Sequence, residues 1–139
     1  MIWVNYKMYH SSIYQAYLMY DFNADTLDLP LYMVNTIDNN FPNVSLTALP
    51  IKYLQGRYYE DVDSIEIAKK LYLESIDANP YLKAGEAELA GLYYNLKEYD
   101  TAYYYAKMAF EQIPNSNVHR NIYFKTIQHR KDTIELRSA

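Results

Sequence analysis

The sequence predicts an all-α protein in which antiparallel helix hairpins stack in a row. The first observation behind this prediction is a residue pattern written twice between residues 56 and 114, at an offset of 34. Gly56, Tyr59, Ala68, Tyr72, Ser75 and Pro80 recur as Ala90, Tyr93, Ala102, Ala106, Ala109 and Pro114. The second observation is that small residues recur where two helices must approach closely, and that a proline then ends each unit. Each repeat therefore predicts one hairpin of two short helices.

These repeated residues resemble the tetratricopeptide repeat family, whose units carry small, aromatic, Ala, bulky, small and Pro residues in that order. Residues 83–116 follow the pattern, with Glu86 where the family favours an aromatic and Ala106 where it favours a bulky residue. The resemblance implies a tetratricopeptide-type right-handed superhelix of antiparallel helix hairpins. It implies a generic binding scaffold and no particular activity.

The resemblance divides the chain into four segments, residues 1–48, 49–82, 83–116 and 117–139. The second and third segments are the two repeats, and the first of these carries Lys52 and Gln55 where larger apolar groups are usual. The first segment holds atypical N-terminal helices, and the last is a partial third repeat or a set of capping helices. Atypical ends are expected in a solenoid, because one face of each end has no neighbour.

The first predicted helix covers residues 1–22 and is dense in large apolar side chains. Polar residues interrupt it before the roughly 18 apolar residues that a membrane span needs, so no transmembrane helix is predicted. It is either the first helix of the solenoid or a segment that follows a membrane helix in a longer parent chain. A turn then leads to a second helix with Pro30 in its first turn, which Asn39 and Asn40 end.

Capping residues predict the helix boundaries of the first repeat. Thr47 caps a helix that runs to about Glu60. Asp63 with Glu66 three residues later forms a capping-box-like pair that opens the next helix.

In the second repeat, the turn covers residues 95–98 and the second helix runs over about 100–112. The last long helix is predicted over 117–128, followed by a separate short helix over 132–139. So short a final helix means either that the chain is truncated or that another subunit covers this end.

Composition excludes several classes of function. The formal net charge of −4 argues against a nucleic-acid partner, because phosphate binding needs a cationic surface. The absence of cysteine excludes disulfides and thiol chemistry and leaves the compartment undetermined. Tyrosine is unusually frequent, with 18 residues. Either tyrosines occupy solenoid positions that are apolar at one end and wet at the other, or they line a groove for a peptide or a sugar.

The sequence contains no pattern typical of catalysis or metal binding. His10, His119 and His129 fall on different segments or faces, and no HExxH motif is present, so no metal site is predicted. The acidic residues between 60 and 66 lack the glycine and the final glutamate of a calcium loop. No GxSxG sequence is present either. We therefore predict a non-enzymatic chain without a cofactor.

The resemblance also implies a binding face, because the first helices of such repeats line a concave groove. The family's groove positions correspond here to Tyr53, Arg57, Glu60, Asp61, Ala84, Ala87, Gly91, Tyr94, Asn95, Asn121, Lys125, Gln128 and His129. Small residues in the middle leave room for a ligand, flanked by two tyrosines and by the cations Arg57 and Lys125. A short acidic or C-terminal peptide suits such a surface. The alternative is that these residues form only the solvated face of the solenoid.

Three hypotheses about function follow. The leading one is a scaffold that binds a protein or peptide partner on its concave face. The second is the soluble region of a bacterial membrane protein that handles surface polysaccharide, because residues 29–54 and 117–136 loosely resemble tails of O-antigen ligase-like and polymerase-like proteins. The aromatic segment 3–20 and the short final helix are further motives for that second hypothesis. The third is a subunit that builds a homo-oligomer through its exposed solenoid ends.

Overall fold

A computed structural model describes residues 2–38, 44, 45 and 47–138, and the side chains of residues 6, 9–38, 44, 45 and 47–130. Within these residues the chain is all-helical apart from one isolated bridge between Val44 and Pro50. The helices are α1 (Ile2–Asn23), α2 (Leu31–Thr36), α3 (Ile51–Asp61), α4 (Ile65–Ala78), α5 (Ala84–Asn95), α6 (Tyr99–Gln112) and α7 (Asn117–Ser138). Two compact units, Met1–Asn79 and Pro80–Ala139, contain α1 to α4 and α5 to α7 respectively. The predicted all-α class is confirmed.

The turns that join α3 to α4 and α5 to α6 have the same geometry. Asp63 and Lys97, which lie 34 residues apart, both adopt a positive φ, 58° and 65°. In the first turn, the amides of residues 62–64 donate to carbonyls of residues 58–60, and the same three bonds recur 34 residues later. The helices α4 and α6 also begin and end at this offset. The repeat in the sequence is therefore a repeat of structure.

Small side chains allow the two helices of each hairpin to pack together. Ala68 on α4 and Ala102 on α6 are both fully buried, as the pattern predicts. The helices end at Ala78 and Gln112, two residues before Pro80 and Pro114. That spacing agrees with the restriction that proline places on the residue before it.

One pair of the repeat differs in size, Tyr72 in the first hairpin against Ala106 in the second, and Gly56 explains how the first hairpin holds the larger residue. In the first hairpin, a Cβ atom added to Gly56 would lie 2.6 Å from Cε1 of Tyr72, so the Tyr72 ring lies directly over the glycine. In the second hairpin, Ala90 and Ala106 occupy the matching positions, and both are fully buried. Gly56 thus leaves room for the large ring of Tyr72, which lets the first hairpin pack densely around it.

Two polar residues of α3 that depart from the repeat pattern have partners within the first unit. The Lys52 ammonium lies 2.8 Å from the Glu74 carboxylate of α4, and its hydrogen bond lowers the pKa of Glu74 below the ordinary value. Gln55 is 2 % exposed and donates a hydrogen bond of 2.9 Å to the carbonyl of Val34 in α2. These contacts join α3 to its neighbours where apolar side chains are usual.

Two predicted helix starts in the first repeat are wrong. Thr47 is no N-cap, because α3 begins only at Ile51 after Pro50, whose ring provides the φ of −58° at that position. The capping box of Asp63 and Glu66 is also absent. Ser64 precedes α4 without a side-chain cap, and Asp63 adopts a left-handed conformation in the turn instead.

The predicted break near the C-terminus is wrong as well. The helix α7 runs without interruption over Asn117–Ser138, so no separate helix begins at Asp132. Neither glycine nor proline occurs between residues 117 and 138 to end it. The predicted end at Ala139 and the predicted stop at Asn39 and Asn40 lie outside the described residues.

The N-terminal helices follow the prediction more closely. The helix α1 covers Ile2–Asn23, and Pro30 directly precedes α2. No helix in the part of the chain that the structure describes is both long and apolar enough to cross a membrane.

Candidate functional site

The first unit places its predicted groove residues in different surroundings. Tyr53 is 8 % exposed, and its ring centroid lies 6.0 Å from that of Tyr72, so Tyr53 belongs to the core of this unit. Arg57 and Glu60 form a pair at 4.0 Å along α3, and Glu60 also accepts a hydrogen bond from the Tyr72 hydroxyl. Asp61 is exposed at the end of the helix. Tyr53 thus lies in the core of this unit, whereas Glu60 has partners on both α3 and α4.

A cleft in the first unit was not predicted from the sequence. It has a volume of about 520 Å³ and is lined by Tyr6, His10, Ser11, Tyr14, Asn35, Thr36, Ile37, Asp38, Lys52 and Glu74. The Tyr6 and His10 ring centroids lie 4.3 Å apart, and those of His10 and Tyr14 lie 6.4 Å apart. The available signal was the four-residue spacing of these three aromatic residues, which places them along one side of α1.

The second unit presents its predicted residues along α5 and α7, which pack against each other. Ala87 is 6 % exposed and lies in the core. Gly91 is open, because a Cβ atom built on it would meet no atom within 4 Å. Ala84 and Tyr94 are half-buried, whereas Asn95, Asn121, Lys125 and Gln128 are exposed. This α5–α7 face therefore combines an open position with exposed amide and ammonium groups.

Three of the predicted residues meet on the α5–α7 face. The Lys125 ammonium lies 4.3 Å from the centre of the Tyr94 ring, a cation–π distance. The His129 ring centroid lies 6.0 Å from that of Tyr94. Tyr99, the first residue of α6, completes the group with its centroid 3.5 Å from that of His129 and 5.4 Å from that of Tyr94. We call these four residues the Tyr–Lys–His cluster.

Local sequence explains how α7 places Lys125 and His129 in this cluster. Its N-terminus is fixed by Ser116, whose hydroxyl oxygen accepts a hydrogen bond of 3.4 Å from the amide of His119. Asn121, Lys125 and His129 then follow at four-residue intervals and share one side of the helix. Tyr99 was missed because the carried-over positions belong only to the first helix of each hairpin.

A buried polar pair lies in the core of the same unit. Glu86 is fully buried, and one of its oxygens lies 2.8 Å from the Lys83 ammonium. The second Glu86 oxygen and Nδ1 of His119 have no hydrogen-bond partner among the described residues. Burial lowers the pKa of His119, although the Ala109 and Ile113 carbonyls and the Glu86 charge favour its protonated form. Glu86 is the residue at the position where the repeat pattern favours an aromatic.

The described residues contain no group of three or more His, Asp or Glu side chains that could hold a metal ion.

No protein-family profile matches the chain, and a search of curated proteins finds no match. The structure thus defines an all-helical protein with a repeated helix hairpin and an aromatic and cationic surface on its second unit.

Proposed function

We propose that this chain is a non-catalytic, tetratricopeptide-type repeat protein that binds a short acidic or C-terminal peptide segment on the α5–α7 face. The hairpins repeated at 34 residues, with the same turn geometry, support the choice of family. Such repeats act by presenting a preformed surface to an extended or helical partner.

The observation that carries the proposal is the Lys125 ammonium held over the Tyr94 ring. An ammonium group has three hydrogen-bond donors, and a ring face engages only one side of it. Donors therefore remain for a peptide carboxylate, and a charge-assisted bond of this kind is stronger than a neutral one. The open position at Gly91, one helical turn before Tyr94, leaves space for the ligand backbone.

The test compares arrays of synthetic peptides with a free C-terminal carboxylate against the same arrays capped as amides. Binding is then measured in solution by fluorescence anisotropy. Lys125→Ala is expected to weaken binding by roughly tenfold or more, because a hydrogen bond to a charged group contributes about 1.5–3 kcal/mol. Amide perturbations in nuclear magnetic resonance spectra should centre on Gly91, Asn95 and Asn121.

Lys107→Ala is the matched control, because it removes the same charge from α6 at a residue that pairs with Glu111 at 3.6 Å. Binding to this variant should remain within about twofold of the wild type. Equal losses in both variants, or perturbations confined to other helices, would contradict a site on the α5–α7 face.

A further inference from the structure

The helix α1 has an unusual distribution of side chains. Its buried side contains Ser11, Gln15 and Leu18, and the Gln15 amide donates a hydrogen bond of 3.1 Å to the Ser11 hydroxyl. This hydrogen bond pairs two polar side chains inside the unit. An ordinary amphipathic helix places such residues in solvent and buries its aromatic residues.

The opposite side of α1 is aromatic and exposed to solvent. Tyr6, Tyr9, Tyr17 and Tyr20 are 61 %, 65 %, 58 % and 78 % exposed. At 100° per residue these four lie within about 80° of the helix circumference, with the half-buried Ile13 between them. We call these five residues the tyrosine face of α1. None of them carries a charge, and exposed apolar faces of this extent typically mark interaction sites.

The four tyrosines of this face are spaced symmetrically about Ile13. Tyr6 and Tyr20 each lie seven residues from Ile13, and Tyr9 and Tyr17 each lie four residues from it. A two-fold dimer requires that one patch be complementary to itself, with residue i against residue j in both directions. Antiparallel pairing about Ile13 fulfils this requirement, because every tyrosine then meets another tyrosine.

We propose that the tyrosine face binds the same face of a second copy of this chain, antiparallel, with the two-fold axis at Ile13. Tyr6 then lies against Tyr20 of the partner subunit, and Tyr9 against Tyr17 of the partner subunit. Offset stacking of such rings adds to the gain from burial. A lipid surface fits less well, because helices that lie on membranes are rich in Lys and Arg on their polar side, whereas α1 contains a single basic residue of this kind, Lys7.

The surface area of the exposed tyrosines is sufficient for a weak dimer interface. A tyrosine side chain offers on the order of 200 Å², so four of them at these exposures contribute about 500 Å² per copy. Two copies bury about 1,000 Å², which is near the lower limit for a specific interface. We therefore expect association that depends on concentration.

The lack of cysteine allows a direct geometric test. Antiparallel pairing predicts that Ile13→Cys forms a covalent dimer on mild oxidation, because the two-fold axis brings both copies of this position together. Tyr6→Cys alone should stay monomeric, whereas a mixture of Tyr6→Cys with Tyr20→Cys should cross-link. Tyr32→Cys on α2 is the control for random collision, because Tyr32 is 71 % exposed but lies on another helix. Self-cross-linking of Tyr6→Cys would overturn the antiparallel arrangement.

A second test needs no covalent bond. Sedimentation should show a monomer–dimer equilibrium, and Tyr9→Lys or Tyr17→Glu alone should each raise the dimer Kd more than about tenfold. The double variant should return close to the wild-type Kd, because each lysine then faces a glutamate of the partner subunit. Both positions are exposed, and circular dichroism checks that the helices persist. A wild-type chain that remains monomeric at every concentration, or a double variant that remains dissociated, would overturn the proposal.

Discussion

The Tyr58 hydroxyl of α3 donates a hydrogen bond of 2.6 Å to the Asp21 carboxylate at the end of α1. The Thr26 hydroxyl and the Leu29 amide donate to the same carboxylate. Burial opposes ionisation of Asp21, but these three hydrogen bonds and one from the Asp28 backbone amide outweigh it and lower the pKa of the carboxyl. Burial and the Asp21 charge raise the pKa of Tyr58. An ionised carboxylate thus joins α1, the following turn and α3.

Tyr58→Phe is expected to lower the free energy of unfolding by about 1.5–3 kcal/mol, the range for hydrogen bonds to charged groups. The ring remains, so the effect reports the lost donor to Asp21 and leaves packing unchanged. Urea unfolding followed by circular dichroism measures it. Tyr59→Phe is the control, because its hydroxyl forms hydrogen bonds with the exposed amide group of Asn35. If both variants lose equal stability, the buried carboxylate does not depend on Tyr58.

Gly56→Ala and Gly91→Ala are expected to change stability in opposite directions. The added methyl at position 56 meets the ring of Tyr72, which is fully buried and cannot move aside, so overpacking should cost about 1–3 kcal/mol. At position 91 the methyl meets nothing within 4 Å, and the higher helix propensity of alanine should add about 0.5–1 kcal/mol. Thermal and urea unfolding of both variants provide the comparison.

A double-mutant cycle tests whether Gly56 and Tyr72 compensate each other. In a Tyr72→Ala background, Gly56→Ala recreates the Ala90 and Ala106 pair of the second hairpin and should no longer destabilise the protein. A cost that stays the same in both backgrounds would show that the clash is with another group.

The repeat, the positions of the small residues and the all-α class were predictable from sequence, because they depend on spacing alone. Sequence also showed where the pattern is broken, at Lys52, Gln55, Glu86 and Ala106, but not why. For Lys52 and Gln55 the reason is a partner on another helix. Glu74 pairs with Lys52, and the Val34 carbonyl accepts a hydrogen bond from Gln55. Such compensation is visible only in three dimensions.

The helix starts of the first repeat were predicted less well than the repeat itself. Thr47 and Asp63 belong to residue types that commonly cap helices. Neither caps one here, because α3 begins only after Pro50 and Asp63 adopts a left-handed conformation in the turn. The predicted groove residues include Tyr94, Lys125 and His129, which the structure brings together, and do not include Tyr99 of the second helix. Propensity acts locally, whereas a site depends on which helices pack together.

Lys83→Met is expected to destabilise the second unit strongly. Glu86 is fully buried and Lys83 lies 2.8 Å from it, so removing the ammonium leaves a buried carboxylate without its partner charge. The cost of such a change is about 3–5 kcal/mol. The double variant Lys83→Met and Glu86→Met should recover most of that loss, because both charges are then gone. Urea unfolding of the wild type, the single variant and the double variant measures these differences. If the single variant were as stable as the double variant, the predicted dependence of Glu86 on Lys83 would be contradicted.

His119 should make the protein less stable on the acid side of neutrality. The unfolded ring has its ordinary pKa of 6.5, and burial lowers the pKa in the folded protein. As the pH falls below 6.5, the unfolded chain takes up a proton that the folded chain does not, so unfolding becomes more favourable. This loss should begin near 6.5 and end once the pH is below the folded pKa. His119→Gln should flatten this dependence below about pH 6.5, whereas His129→Gln should retain it, because His119 is then intact. Equal slopes for the wild type and His119→Gln, measured by urea unfolding, would show that another group governs the acid response.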